Sequence, residues 1–150
     1  MVGLDVQRSL IMVAQALQPA QDPWWIIGSA AVALHGGDPG AIADIDVIVS
    51  RRDIDALYDQ LPLTSTPDEG KTMFSSDRFG RWTTPPKQVE FMAGLTHRSE
   101  GHWHAVISTS RQMVQLSGHA LFLPERAELI AILHRFGRDK DIARAATLHA

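Results

Sequence analysis

The sequence contains no cysteine, no strong net charge and no long apolar run. The absence of cysteine excludes a disulfide framework and a zinc site made of thiolates. Because no run reaches the roughly 18 to 20 apolar residues of a membrane span, and no basic region precedes an apolar core at the N-terminus, we expect neither membrane contact nor secretion. A net charge of -3 argues against capture of nucleic acid by the whole surface, although a local basic groove is compatible with it. We therefore expect a cytoplasmic protein.

The composition is typical of a globular protein. Of the 150 residues, 45% are hydrophobic and 21% are charged, and a chain of this length can bury about 68 to 70% of its unfolded surface. We expect a single domain over 1–150 with an α/β (α+β) fold, in which helices pack on one face of a mixed β-sheet. Its parts would be an N-terminal helix (1–20), a sheet core (24–123) and C-terminal helices (124–150). The sequence does not indicate an oligomeric state.

Apolar periodicity and helix-breaking residues predict the order of the elements. Helices are predicted from residue 4 to a stop near Pro19, and over 30–34, 53–61, 124–136 and 140–148. Strands are predicted over 24–27, 44–49, 88–92, 103–108 and 120–123, and a turn-like segment over 64–70 precedes one or two more strands within 71–84.

Two carboxylates at the start of an apolar strand are the most informative feature of the chain. Asp44 and Asp46 alternate with Ile45 and Val47, so both acidic side chains point to one face of the strand. Two like charges on one face repel each other unless a cation lies between them. Hard oxygen ligands on a rigid element are what Mg²⁺ prefers, so the pair predicts a divalent metal site.

A strand, a tight turn and a helix precede this pair. Trp24 to Ile27 form an apolar strand, and Gly28-Ser29 lead into a small-residue helix. Glycine lets the backbone approach a ligand closely, a serine hydroxyl can donate to an oxyanion, and free amides at a helix start attract phosphate. The turn therefore predicts a phosphate site, although Ser29 could equally cap the helix.

A third carboxylate lies on a later strand. Glu90 is flanked by Val89 and Phe91, so it faces the opposite side from these two apolar residues. If this strand pairs beside the Asp44 strand with its acidic side chain on the same face, the three carboxylates converge.

These residues resemble the nucleotidyltransferase superfamily that includes DNA polymerase beta. Its pattern is an apolar residue before Gly-Gly or Gly-Ser, then a helix, then two acidic residues alternating with apolar ones, and finally a third carboxylate on a later strand. The matching segments are Ile27-Gly28-Ser29, Asp44-Ile45-Asp46-Val47 and Val89-Glu90-Phe91. The resemblance spans roughly residues 24 to 148. It departs from the family where Gly36-Gly37-Asp38-Pro39-Gly40 replaces an arginine and a threonine or serine.

The resemblance implies transfer of a nucleoside monophosphate from a nucleoside triphosphate (NTP) to an acceptor hydroxyl. Asp44, Asp46 and Glu90 would be catalytic and would bind two Mg²⁺ ions, or Mn²⁺ in their place, and Gly28 and Ser29 would bind the nucleotide phosphates. Small bacterial members of the superfamily often end in a helix with a run like Arg138-Asp139-Lys140-Asp141. That run resembles the abortive-infection toxins of toxin-antitoxin pairs, which implies an RNA acceptor and an antitoxin partner.

Alternatives remain for several residues. Lys140 would bind the nucleotide phosphates or only extend from the last helix into solvent, and Asp141 would cap that helix or orient Lys140. The basic residues Arg78, Arg81 and Lys87 would form a solvated face or part of a groove.

Other functions also remain open. One is an inactive nucleotide-binding or antitoxin protein of the same fold, and another is an antibiotic-modifying transferase. His102 and His104 alternate on a predicted strand near His97, which could instead indicate the zinc site of a hydrolase.

Overall fold

The computed structural model describes residues 2–66 and 73–149, which contain five helices and nine strands. The helices are α1 (Leu4–Ala16), α2 (Gly28–Leu34), α3 (Arg51–Gln60), α4 (Arg126–Phe136) and α5 (Asp139–Ala146). The strands are β1 (Trp25–Ile27), β2 (Asp44–Ile48), β3 (Phe74–Ser75), β4 (Arg78–Trp82), β5 (Gln88–Ala93), β6 (Thr96–Ser99), β7 (His102–Ala105), β8 (Gln112–Leu116) and β9 (His119–Leu123).

Local interactions explain where helix α3 begins and where helix α4 ends. Ser50 precedes α3, and its hydroxyl oxygen accepts the backbone N–H of Asp53 at 3.2 Å, which satisfies one of the free amides of the first turn. Helix α4 ends at Gly137, whose φ of 70° lies in the left-handed region. This glycine turns the chain into α5, so the two C-terminal helices pack against each other.

A four-stranded mixed sheet forms the centre of the fold, in the order β1-β2-β5-β4. Strands β2 and β5 are parallel, and Asp44 pairs with Gln88 while Asp46 pairs with Glu90. The two outer strands are antiparallel to their neighbours, with Ile27 beside Asp46 on one side and Arg81 beside Glu90 on the other. The sheet is therefore mixed, as the sequence predicts.

The two faces of this sheet differ in chemistry. On one face, side chains such as Ile45, Val47 and Phe91 are fully buried, and they belong to an apolar core that also includes residues of α1, α2, α3, α4 and α5. The opposite face carries Asp44, Asp46 and Glu90 at one end. A second apolar cluster, which includes residues of β5 and α4, lies at the other end of that face. The carboxylates thus share this face of the sheet with the second apolar cluster.

Two smaller sheets complete the fold. Strands β3, β6 and β7 form one of them, and β8 and β9 form an antiparallel hairpin that packs beside β1 and α1. Within the described residues, no helix is long and apolar enough to cross a membrane.

The sequence-based elements differ from the structure in three places. Strands β6 and β8 were not predicted, and the strand predicted over 103–108 is found at His102–Ala105. The region predicted as one or two strands within 71–84 holds two, β3 and β4. Its first two residues, and residues 67–70 of the predicted turn, lie outside the described residues.

Candidate active site

The three predicted carboxylates meet on one face of the sheet. Asp44, Asp46 and Glu90 each place a carboxylate oxygen within 4.8 Å of the others. The parallel pairing of β2 with β5 produces this arrangement, because it sets Asp46 directly beside Glu90 with both side chains on the same face. Within residues 2–66 and 73–149, this is the only group of three or more acidic, histidine or cysteine side chains close enough to share an ion.

Arg81 offsets part of the negative charge of this group. Its guanidinium donates to Glu90 Oε2 at 2.9 Å, and the two side chains are only 16% and 3% exposed. An ionised carboxylate with so little contact with water needs such a partner. The charge of Glu90 is therefore compensated within the protein by Arg81.

Gly28 gives the Asp46 carboxylate room beside the backbone. Its φ is 69°, in the left-handed region, and a Cβ at this position would lie 2.8 Å from Asp46 Oδ2. The glycine therefore both turns the chain from β1 into α2 and permits the close approach. Buried Ser29 follows it directly at the start of α2.

A cleft of about 1200 Å³ connects the sites predicted for phosphate and metal. Its lining includes Gly28, Ser29, the three carboxylates and Lys140. Lys140 lies on α5, more than 90 positions after the carboxylates of β2 in the sequence, and it lines the same cleft. All six residues singled out from the sequence thus line one cavity.

Asp141 caps the last helix. Its side chain is 1% exposed. It accepts a hydrogen bond from the backbone N–H of Arg138 at 3.3 Å, and two more from the guanidinium of Arg138 at 2.6 and 3.0 Å. Of the two roles considered for Asp141, these contacts support the cap. Lys140 lies between these two residues in the sequence, so the cap fixes the turn of α5 that carries it.

The sequence did not specify the contacts of two arginines of the site. Arg81 was interpreted as part of a solvated face or of a groove, and its side chain is largely buried against Glu90. Arg144 lines the cleft and donates from Nε to the Pro39 carbonyl at 2.7 Å. Side chains alternate along β4, so Phe79 and Arg81 share one face while Gly80 and Trp82 share the other. Only the register of β4 on β5 makes Arg81 and Glu90 partners.

The histidines do not form a comparable group. His102 and His104 are exposed on β7, whereas His97 is 4% exposed and its ring lies 5.3 Å from Phe74 and 5.1 Å from Phe136. Burial lowers the pKa of His97, and the nearby charge of Arg138 lowers it further. Within the described part of the chain no three histidine or acidic groups gather there, so the zinc hypothesis gains no support.

The fold is similar to that of solved nucleotidyltransferase structures. A structure provisionally assigned as a nucleotidyltransferase of Thermotoga maritima is 21% identical, covers 90% of this chain and 87% of its own, and superposes with a TM-score of 0.66. The antibiotic-resistance factor ANT(2'')-Ia is 12% identical over 96% of this chain and 81% of its own, with a TM-score of 0.59. The lincosamide antibiotic adenylyltransferase LnuA is 12% identical over 99% and 98%, with a TM-score of 0.60.

Comparison of the sequence with protein families and with curated proteins finds no match. At these identities the similar structures establish the fold, and the fold class predicted from the sequence is confirmed.

Proposed function

We propose that the protein is a metal-dependent nucleotidyltransferase, which moves a nucleoside monophosphate from an NTP to an acceptor hydroxyl. The observation that carries the proposal is the convergence of Asp44, Asp46 and Glu90 beside Gly28 in one cleft. The fold alone would not be enough, because function depends on the side chains of the site.

The donor set fits magnesium. Three carboxylates offer hard oxygen ligands within 4.8 Å of one another, and Mg²⁺ takes such ligands while Mn²⁺ accepts the same set. Asp44 and Asp46 would hold two ions, and Glu90 would complete the one nearer the acceptor. When bound, the ions supply charge neutralisation of the phosphates and a lower pKa of the attacking hydroxyl.

The chain's own residues position the two substrates. Gly28 and Ser29 bind the outer phosphates, and Lys140 adds a positive charge from α5, in the same cleft. The acceptor oxygen forms a bond to the α-phosphorus while the bond from that phosphorus to the bridging oxygen breaks, and pyrophosphate leaves with the electron pair. Glu90 takes the proton of the acceptor hydroxyl. Most of the acceleration comes from positioning and charge neutralisation.

RNA is the proposed acceptor, in a cytoplasmic toxin controlled by an antitoxin. The support is the resemblance of the Arg138 to Asp141 run to abortive-infection toxins, together with the arginines of the cleft lining, which suit a polyanion. A small-molecule acceptor is the second candidate. It is favoured by two of the similar structures, a lincosamide adenylyltransferase and an antibiotic-resistance factor.

A transfer assay tests the proposal directly. The protein is incubated with each of the four α-labelled NTPs and Mg²⁺, in separate reactions with total RNA, an aminoglycoside and a lincosamide. We expect label on RNA from at least one NTP, and none when a chelator removes the metal. Asp46→Asn should reduce transfer at least about 100-fold, because it removes a charge that acts in the transition state.

Asp59→Asn is the matched control, since Asp59 is an exposed aspartate of α3. It should transfer at the wild-type rate. If label appears only on an antibiotic, the acceptor is a small molecule and not RNA. Saturable NTP binding without transfer to any acceptor would instead indicate a catalytically inactive, nucleotide-binding protein.

A further inference from the structure

The segment that leads into Asp44 is bound to the last helix. The Asp38 N–H donates to Thr147 Oγ1 at 2.9 Å, and Arg144 donates to the carbonyl oxygens of Pro39 and Ala41 at 2.7 and 3.3 Å. The hydroxyl of Thr147 in turn donates to the Arg144 carbonyl at 2.7 Å. Backbone atoms of three residues between 38 and 41 are thus held by two side chains at the end of α5.

Asp44 has less support from the sheet than Asp46. Asp46 is paired on both sides, with Ile27 of β1 and Glu90 of β5, whereas the pairing of β1 with β2 does not extend to Asp44. Asp44 is the first residue of its strand, and its one sheet partner is Gln88. The segment that precedes Asp44 therefore contributes to its position at the start of β2.

The anchoring residues lie on a helix that is packed into the core. Ala145, between Arg144 and Thr147, and Leu148, directly after Thr147, are buried in the main core, and α5 packs on α4. A Cβ at Gly37 would lie 2.7 Å from Leu148 Cδ2 and 2.8 Å from Thr147 Oγ1, so the start of the segment also lies directly against this end of the chain. Movement of the segment would require α5 to release it.

We infer that Arg144 is a positioning residue for the metal site: through the backbone of residues 38–41 it sets the place of Asp44, and so the affinity of the three carboxylates for a divalent ion. The inference rests on the proposed function, because it takes these carboxylates as metal ligands. Helix α5 thus carries both Lys140, which the proposed function assigns to the phosphates, and Arg144, which the inference assigns to Asp44.

The sign of the effect separates positioning from simple electrostatics. Arg144 lines the cleft and is positively charged, so it repels a divalent cation. If charge alone mattered, Arg144→Ala would bind metal more tightly. If Arg144 positions Asp44, the same change should bind metal more weakly.

The experiment measures the binding of Mn²⁺ alone, without nucleotide, by electron paramagnetic resonance of the free ion. We expect Arg144→Ala to weaken binding about tenfold, which corresponds to the loss of about one hydrogen bond from a charged donor. Thr147→Val changes no charge and removes the acceptor for the Asp38 N–H, so it should weaken binding in the same direction by about threefold. Arg144→Lys keeps one donor and should fall between the wild type and Arg144→Ala.

Arg135→Ala is the control for charge, because Arg135 is an exposed arginine near the end of α4; it should bind Mn²⁺ within twofold of the wild type. Unchanged or tighter binding by Arg144→Ala overturns the inference. If that variant does not fold, Thr147→Val decides, since wild-type affinity there also overturns it. Asp46→Asn distinguishes the two proposals. If this variant binds Mn²⁺ like the wild type, the proposed metal site itself is wrong. If Asp46→Asn does not bind Mn²⁺ but Arg144→Ala and Thr147→Val bind it normally, only the positioning role of Arg144 is overturned.

Discussion

Gly28 is the residue at which backbone conformation and the carboxylate site depend on each other most directly. Gly28→Ala would place a methyl group 2.8 Å from Asp46 Oδ2 and force a side chain into a φ of 69°. We expect the conformational penalty to cost roughly 1 to 2 kcal/mol of unfolding free energy. We expect the displaced carboxylate to cost at least about 100-fold in nucleotidyl transfer. Urea unfolding and the transfer assay measure the two effects separately.

Gly118→Ala is the matched control for this change. Gly118 also has a positive φ, 80°, but no atom lies within 4 Å of a Cβ built there. It should lose a similar amount of stability and keep wild-type transfer. Equal transfer by the two variants would show that the contact between position 28 and Asp46 has no part in the activity.

The residues of the site differ in how far the sequence determines them. The alternation of Asp44 and Asp46 with apolar residues predicts a shared face, because side chains of a strand alternate strictly, and the structure agrees. The contacts of Arg81 and Arg144 could not be predicted in this way. Each depends on a partner in another element, Glu90 on the neighbouring strand and the Pro39 carbonyl in a loop, and no local pattern encodes that register.

The connection between β7 and β8 is fastened to helix α4 through one carboxylate. Glu128 accepts hydrogen bonds from the hydroxyls of Ser108, Thr109 and Ser110 and from the backbone N–H groups of the last two, at 2.6 to 3.1 Å. Partial burial raises the pKa of Glu128, but the bonds from Ser110, Ser108 and the amides outweigh it and lower the pKa to about 2. The charged form is therefore the one that holds the two elements together.

This contact should make stability depend on acid pH. The folded protein binds the Glu128 proton less tightly than the unfolded chain does, so protonation favours unfolding. The contribution is complete above the ordinary pKa of 4.5 and is lost as the pH falls towards 2. Glu128→Gln should therefore reduce the free energy of unfolding by roughly 1 to 3 kcal/mol at pH 7. The difference from the wild type should shrink by pH 3.

Urea titrations at pH 7 and pH 3 test this dependence. Glu125→Gln changes an exposed glutamate just before the same helix, and it should alter stability by less than about 0.5 kcal/mol at either pH. A deficit of Glu128→Gln that is the same at both pH values would mean that the carboxylate charge does not hold the loop.

Among the elements, those with a strong apolar pattern were predicted from the sequence, and β7 was also predicted although it is exposed throughout. Strands β2 and β5 and helices α1 and α4 each bury a continuous row of apolar side chains, and that row gives the periodic signal. Strands β6 and β8 lack it. Thr96–Ser99 contains one buried residue, His97, and Gln112–Leu116 contains none. These strands are held by tight turns and by hydrogen bonds to neighbouring strands. The residue pattern of one strand alone does not indicate such contacts.

For the whole molecule, composition and order along the chain predicted the class of fold but not the arrangement of strands. Strands and helices along one chain predict a sheet covered by helices. The order β1-β2-β5-β4 does not follow from them, because β5 lies beside β2 although two strands intervene in the sequence. That long-range pairing is what brings Glu90 to the aspartates. The pattern of each strand left this pairing open, and the resemblance to the nucleotidyltransferases implied only that the three carboxylates share a site.

Ligand binding should be visible in the stability of the whole chain. A ligand that binds only the folded state, at about 100 times its dissociation constant, adds roughly 2.7 kcal/mol. For a domain of this size that is a rise in Tm of about 5 to 10 °C. We expect NTP with Mg²⁺ to produce this rise in differential scanning calorimetry, and we expect a chelator to remove most of it, because the triphosphate then meets the carboxylates without a cation between them. Asp46→Asn should lose most of the rise, whereas Asp59→Asn should keep it. An equal rise in Asp46→Asn would place the nucleotide and its metal elsewhere than the three carboxylates.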